Sequence, residues 1–243
     1  CETLDFAKPE DIKRWMSFTW DSIKNDNDDL SQAGELSLIK TVWEIPFKIP
    51  GALLIRSYQD FSDDDAVMFK ENGKPMIPGT SFTGCLRKAC FDILYYDLKL
   101  QDPKPVINYI FGFVDENKKS AQVSKLFIED IVLTMEKEAS YTRNKINRFT
   151  GGTEDRALFT NKPVYNSSGT IKIEFLAELE GWAKQLLYYA LLDIGSGIVP
   201  LGGETSIGRG ILSFDPPDYP KPEAGANALH DYLQDKPRRE VAP

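Results

Sequence analysis

The sequence predicts an α+β domain, on the strength of two periodicities that occur in a fixed order. Apolar residues recur at helical spacing over 80–97 and 181–194, while four other stretches read as strands, the first and third by alternation of apolar and polar side chains. In chain order the elements read β–α–β–long loop–β–α–glycine-rich loop–β. This is a ferredoxin-like (RRM-like) split βαβ core, with a long insertion before its third strand and a C-terminal Gly-rich loop. Such an order identifies a widely shared fold and leaves function open.

Residues 1–36 carry nine acidic and four basic side chains, and read as an acidic N-terminal appendage or the end of a preceding domain. The predicted domain runs over 37–215. Its first strand or strand pair is LIKTVWEIPFKIPGALLIRSY, which Pro46, Pro50 and Gly51 would bend or break. A polar loop over 59–75 contains Asp60, Asp63, Asp64 and Asp65. In MIPGTSFTGCLRKACFDIL, Pro78 and Gly79 turn the chain into a helix that Thr80 or Ser81 can cap. Phe82, Leu86, Ala89, Cys90 and Ile93 form its buried stripe, and Arg87 and Lys88 fall off it. Small residues leave the helix N-terminus open to an anion such as phosphate, although an ordinary capped helix with two solvated cations also fits.

Residues 101–123 read as mostly irregular. SKLFIEDIVLTM predicts a central strand with apolar groups on both faces. The stretch 138–169 has no core-forming period and is long for a connection, as functional loops often are. TIKIEFLAEL is the third strand and GWAKQLLYYALLDIG the second helix, with Trp182, Leu186, Leu187, Ala190 and Ile194 inward. LGGETSIGRG is a glycine-rich loop before a last short strand, GILSF. Residues 216–243 form a proline-rich and charged tail.

Composition narrows the function. With 42% hydrophobic residues the chain can build a core, and its net charge of -8 argues against general nucleic-acid binding through a basic surface, though not against a local basic groove. No apolar run approaches a membrane span, and no signal peptide is visible, although Cys1 in place of Met leaves room for an upstream segment. Three cysteines without a CxxC pair and a lone histidine, His230, make a zinc site or disulfide framework improbable. A cytoplasmic protein with structural thiols is the expectation.

Several strings together resemble one family. IPGTSFTGCLRK is similar to the IPGSS-x-x-G-x-LR signature of the RAMP superfamily of CRISPR effector proteins. YIFGF resembles its LFG element, SKLFIEDIVL its RL-x-x-x-D strand, and LGGETSIGRGIL its C-terminal glycine-rich loop. RNKINRFTGGTEDRALF resembles the thumb of the backbone subunits in type III complexes, so 138–169 becomes a thumb-like insertion. The matches run in the family's order from about Trp43 to Phe214, while residues 1–36 have no recognised counterpart.

The resemblance implies a backbone subunit that binds guide RNA (crRNA) and its complementary target RNA beside other RAMP subunits, with no membrane. The implied RNA-binding residues are Ser81, Arg87 and Lys88 on the signature helix, and Arg143, Lys145, Arg148 and Phe149 in the thumb. In the glycine-rich loop they are Gly202, Gly203, Gly208 and Arg209. The residues themselves support part of this. The 141–172 stretch is locally basic with interleaved apolar side chains, which suits single-stranded RNA. The glycine-rich loop permits close backbone approach, and Arg209 could fork onto a phosphate; a tight turn between helix and strand is the plainer alternative. It is not a P-loop, because no GK[ST] follows.

Some subunits of this family cut target RNA with an aspartate in the loop before the signature helix. Asp63 or Asp64 lies nearest that place, and either could be the catalytic and metal-ligating residue, holding Mg²⁺ or Mn²⁺. A solvated acidic loop without chemistry is the alternative. Metal-free guide processing is disfavoured, because His230 stands in the tail. The open readings are a scaffold, a metal-dependent endoribonuclease, and a single-stranded RNA-binding domain outside CRISPR systems.

Overall fold

A computed structural model describes residues 41–57, 64–115, 119–154, 157–215 and 227–238. All of them lie within one compact unit that runs from Lys40 to Pro243. The acidic segment 1–36, Asp60, Asp63, Asp155 and Arg156 lie outside the described residues.

The strands are β1 (Val42–Leu53), β2 (Arg56–Ser57), β3 (Ala66–Met68), β4 (Lys70–Glu71), β5 (Lys74–Ile77), β6 (Phe113–Asp115), β7 (Ser120–Gln122), β8 (Leu126–Ile128), β9 (Ile131–Val132), β10 (Lys137–Glu138), β11 (Tyr141–Arg143), β12 (Phe159–Lys162) and β13 (Val164–Phe175). Helix α1 (Gly79–Asp92) continues as a π-helical turn, Ile93–Asp97. It is followed by α2 (Lys104–Phe111), α3 (Gly181–Gly195) and α4 (Ala228–Leu233).

The main sheet is antiparallel and centres on β13. Strand β1 pairs along nearly all of one side of it, from Val42–Glu174 to Leu53–Val164. On the other side β8 pairs with its C-terminal end and β10 with its N-terminal end. Beyond β1, Lys48 and Ser213 exchange both backbone hydrogen bonds, at 2.9 and 2.8 Å.

Trp43, Ile45, Phe47 and Ile49 of β1 alternate with exposed residues and are buried. They share one core with Ile171, Ile173 and Phe175 of β13, Phe82, Leu86 and Ala89 of α1, and Leu186, Leu187 and Ala190 of α3. The helical stripes predicted for α1 and α3 are therefore the inward faces. No helix among the described residues is long and apolar enough to cross a membrane.

Several local expectations are corrected. Pro46 does not break β1: it pairs with Thr170, and the only irregularity falls between Ile49 and Ala52, around Pro50 and Gly51. An amide lost to proline is tolerated on the outer side of an edge strand. The single strand expected over SKLFIEDIVLTM is two, with β8 on β13 and β9 on β5. It is not covered on both faces, since Phe127 and Val132 are exposed.

Part of 101–123 is helical, as α2. The long insertion holds β10, β11 and β12, and its last residues belong to β13, which starts at Val164. Strand β12 also runs parallel to β3, with Asn161 opposite Ala66, in a second sheet ordered β11–β12–β3–β2. The predicted last strand amounts to the Ser213 bridge. Within the tail, α4 packs on α3, where Tyr232 stacks on Trp182 at 4.0 Å and Leu229 donates its amide to Gln185 Oε1 at 2.8 Å.

Candidate nucleic-acid interface

At the signature helix, Gly79 meets the backbone that follows β8. A Cβ on Gly79 would lie 2.0 Å from the Ile128 carbonyl oxygen, so only glycine fits there. Its amide donates to Asp130 Oδ1 at 2.7 Å. No side chain of the turn caps the helix, contrary to the expectation for Thr80 or Ser81. The anion expected at this terminus is thus provided by the protein's own Asp130, and the dipole is already answered.

One turn further on, Ser81 is half-buried and Gly84, Arg87 and Lys88 are exposed. Lys88 pairs with Asp92. An Arg87 Nη2 donates to Asn108 Oδ1 of α2 at 3.4 Å. Arg87 and Lys88 both line a cavity between α1 and α2.

The glycine-rich loop is corrected more sharply. Arg209 is only 5% exposed and pairs with Glu204, whose other oxygen accepts from Asn161 Nδ2 at 2.8 Å. A guanidinium committed inward cannot fork onto an external phosphate. The loop's close approach is likewise internal. Gly203 donates its amide to the Leu54 carbonyl at 2.7 Å, and Gly202 (φ 89°) presses on that same carbonyl. Gly208 is exposed, and a Cβ on it would meet nothing. Arg209 therefore ties down the loop through Glu204, and through it to Asn161 of β12, and is buried where Arg87 and Lys88 are exposed.

The thumb candidate is a hairpin. Strands β11 and β12 pair from Tyr141–Asn161 to Arg143–Phe159, and an isolated bridge joins Ile146 to Thr153 nearer the tip. Asn147 Oδ1 accepts from the amides of Phe149 and Thr150 at 2.9 and 3.2 Å, and its carbonyl accepts from Gly151. This self-closed turn presents Phe149 with 99% of its surface in water. Arg148 beside it is also exposed, Lys145 pairs with Glu154 at 2.7 Å, and Arg143 lies 5.5 Å from the centre of the Tyr141 ring.

The acidic loop is fastened to the foot of this hairpin. Asp65 and Thr160 exchange bonds: the Asp65 amide donates to the Thr160 carbonyl at 2.8 Å, and Asp65 Oδ2 accepts from the Thr160 amide at 2.6 Å. Asp64 Oδ2 accepts from the Ser140 hydroxyl at 3.4 Å. A cavity of about 350 Å³ opens here between Arg56, Asp65, Phe159, Asn161 and Glu204. It joins the acidic loop, the hairpin base and the glycine-rich loop, which lie far apart in sequence.

Among the described residues, no three His, Cys, Asp or Glu side chains gather as a metal-holding group. The donors at hand are hard carboxylate oxygens, and Asp65 is already engaged by Thr160. They suit a Mg²⁺ that keeps several waters and is held by one or two carboxylates and substrate phosphates. They do not suit an all-protein cage.

The two described thiols, Cys85 and Cys90, are inert by position. Burial pushes the Cys85 thiol up to about 11, against a smaller downward pull from Lys88, and burial raises fully buried Cys90 further.

Sequence reasoning passed over Arg56, Asn147, Asn161 and Glu204. Asn147 could have been found, because an asparagine two residues before an exposed aromatic is a turn-former. Glu204 and Asn161 could not, since their pairing exists only after β12 and the glycine-rich loop meet. No curated protein matches the chain. A sequence profile of the RAMP superfamily matches residues 47–213. That span reaches from β1 through the signature helix, the hairpin and the glycine-rich loop, so the chain belongs to the RAMP superfamily.

Proposed function

We propose that this chain is a CRISPR-associated, guide-RNA-binding backbone subunit of a type III RNA-targeting complex. Membership of the RAMP superfamily suggests the CRISPR-associated role. The observation that carries the finer reading is the hairpin tip, where Asn147 closes the turn and Phe149 stands wholly in water beside Arg148. A solvent-exposed ring beside a cation is suited to wedge against a base while the cation meets the backbone. Ferredoxin-like topology also fits the pairings, because Ser213, β1, β13 and β8 lie side by side in that order. Partners on this reading are guide RNA, complementary target RNA and other RAMP subunits.

A second activity is compatible with the first. Asp65 ties the acidic loop to the hairpin base at Thr160, and Asp64 accepts from Ser140 just before β11. With Asp63, it would hold Mg²⁺ or Mn²⁺ together with waters and RNA phosphates. Such an ion, when bound, lowers the pKa of an attacking oxygen or steadies the leaving one. The carboxylates would orient it, and the wedge at the tip would unstack the strand to be cut. On this reading the subunit is a metal-dependent endoribonuclease acting on guide-paired RNA.

The deciding experiment is purification of the expressed chain with its bound RNA, followed by sequencing. Repeat-derived guides are expected. Bulk cellular RNA would instead favour a single-stranded RNA-binding domain outside CRISPR systems.

A further inference from the structure

Residues 227–238 fill a groove whose walls come from other elements. Leu229, Tyr232 and Leu233 stand at i, i+3 and i+4 on α4, the spacing with which an amphipathic helix lies in an apolar groove. Leu229 and Leu233 are buried, and the Tyr232 ring lies parallel to that of Trp182. The core sets this platform without help from α4. Trp182 donates its Nε1–H to Glu180 Oε2 at 2.8 Å and packs on Tyr109 of α2 at 5.0 Å. Gln185 is only 1% exposed; its Nε2 donates to the Tyr189 hydroxyl at 3.3 Å, and its Oε1 accepts the Leu229 amide. Past α4 the contact becomes strand-like. Gln101 donates its amide to the Pro237 carbonyl at 3.0 Å, and Leu100 bridges Arg238. Arg238 Nη1 donates to the Leu98 carbonyl at 2.6 Å, where the π-helical turn ends.

A helix of six residues does not persist alone in water, so α4 owes its form to this groove. The groove selects a segment by a stacked tyrosine, two leucines and an arginine. None of these contacts depends on which copy of the chain supplies the segment. The connection bears on that choice. Phe214 lies against Gly195 at the end of α3, whereas Leu229 meets Gln185 nearer its start. Along α3 those two places are about 15 Å apart. The intervening residues 216–226 include Pro216, Pro217, Pro220 and Pro222. A proline-rich chain of that length reaches about 34 Å, at about 3.1 Å per residue. That is about twice the span needed within one copy, and long enough to carry the segment to a neighbour. Exchange of an identical segment keeps every contact and is a low-cost route to association.

We propose that this groove is a docking site for the C-terminal segment of a second copy of the chain. Leu229, Tyr232 and Arg238 of one copy seat on Gln185, Trp182 and Leu98 of the other. No RNA is needed for this exchange, which stands apart from the RNA-binding reading.

The test uses two forms of the full chain, one with Gln101→Cys and the other with Pro237→Cys. Both positions are exposed, and they oppose each other beside the Leu100–Arg238 bridge, where facing strand residues lie within disulfide reach. Incubated together and then oxidised, the two forms should give a crosslinked heterodimer whose yield rises with protein concentration. Each form oxidised alone sets the background from the native cysteines. Adding Tyr232→Ala to the Pro237→Cys form should lower the yield about tenfold, the scale of a lost aromatic stack. Arg238→Ala is the second variant should the loss of Tyr232 disturb folding. Both cysteines in a single chain report seating within one copy.

The proposal is overturned if the mixture gives no heterodimer above background while the double-cysteine chain closes entirely on itself, which would leave the groove to the chain's own tail. A heterodimer yield unchanged by both Tyr232→Ala and Arg238→Ala would also overturn it, as random collision. A double-cysteine chain that forms no disulfide, within or between copies, would show that this segment does not fill the groove at all.

Discussion

The amide of Gly79 donates to Asp130 Oδ1 at 2.7 Å across 51 residues of sequence. The cap of the signature helix is therefore tertiary. It locks the turn before α1 to the break between β8 and β9. Asp130→Ala should lower stability by about 1 kcal/mol, the usual cost of a lost N-cap. Gly79→Ala should cost more, about 3 kcal/mol, because its methyl would sit inside the Ile128 carbonyl. Urea unfolding of both variants checks the order, and equal or negligible losses would remove this junction as a structural lock.

A different outcome is expected at the glycine-rich loop. Because Arg209 and Glu204 form a largely buried pair, removing either leaves a charge without its partner. Arg209→Ala and Glu204→Ala should each cost about 3–5 kcal/mol, and the double variant less than their sum. A double-mutant cycle in denaturant measures this. If Arg209→Ala left stability intact and reduced RNA affinity instead, the inward role assigned to Arg209 would be wrong.

At the hairpin tip the expectation reverses. Phe149 contributes no burial, so Phe149→Ala should leave the thermal midpoint unchanged. On the wedge reading it should weaken guide-paired RNA by about 1–3 kcal/mol. Asn147→Ala should produce part of that loss by loosening the turn. Fluorescence anisotropy with a labelled guide–target duplex distinguishes the two variants, and an unchanged affinity in both would dismiss the wedge.

Replacing Asp63 and Asp64 together with alanine tests the endoribonuclease reading. Carboxylates repel a phosphate backbone, so guide binding should survive while target cutting at this subunit stops. Cutting should require Mg²⁺ or Mn²⁺ and cease with EDTA. A guide-loaded complex with labelled complementary RNA is the assay. Equal cutting by wild type and variant would leave the acidic loop a solvated connection.

Asp193 on α3 supplies a pH-dependent prediction. Burial raises its carboxyl pKa, and the negative charges of Asp97 and Asp92 add to the rise. A carboxyl that keeps its proton to higher pH in the folded chain than in the unfolded one favours folding when protonated. Its contribution falls as pH climbs from the ordinary carboxylate value near about 4 through the raised one. Asp193→Asn should therefore raise the thermal midpoint at neutral pH and flatten its decline across that window. Thermal melts from mildly acidic to neutral pH would show it, and a variant that melts lower at neutral pH would contradict the assignment.

What the sequence determined by itself is local and periodic. The stripe from Phe82 to Ile93, the inward face of α3, the alternation along β1 and β13, and the basic, aromatic character of the hairpin all follow from residue type and spacing, which fix each face before anything packs. The tertiary structure decided which partners those residues meet. It turned Arg209 inward, because Glu204 and Asn161 converge only when β12 lies beside the glycine-rich loop. It split SKLFIEDIVLTM at Glu129–Asp130, where Asp130 accepts from the Gly79 amide at the start of α1. It also placed Asp64 at the hairpin foot and left Phe149 in water. Contacts across 43, 51 or 95 residues carry no periodic trace, so side-chain direction at these sites was written only in the fold.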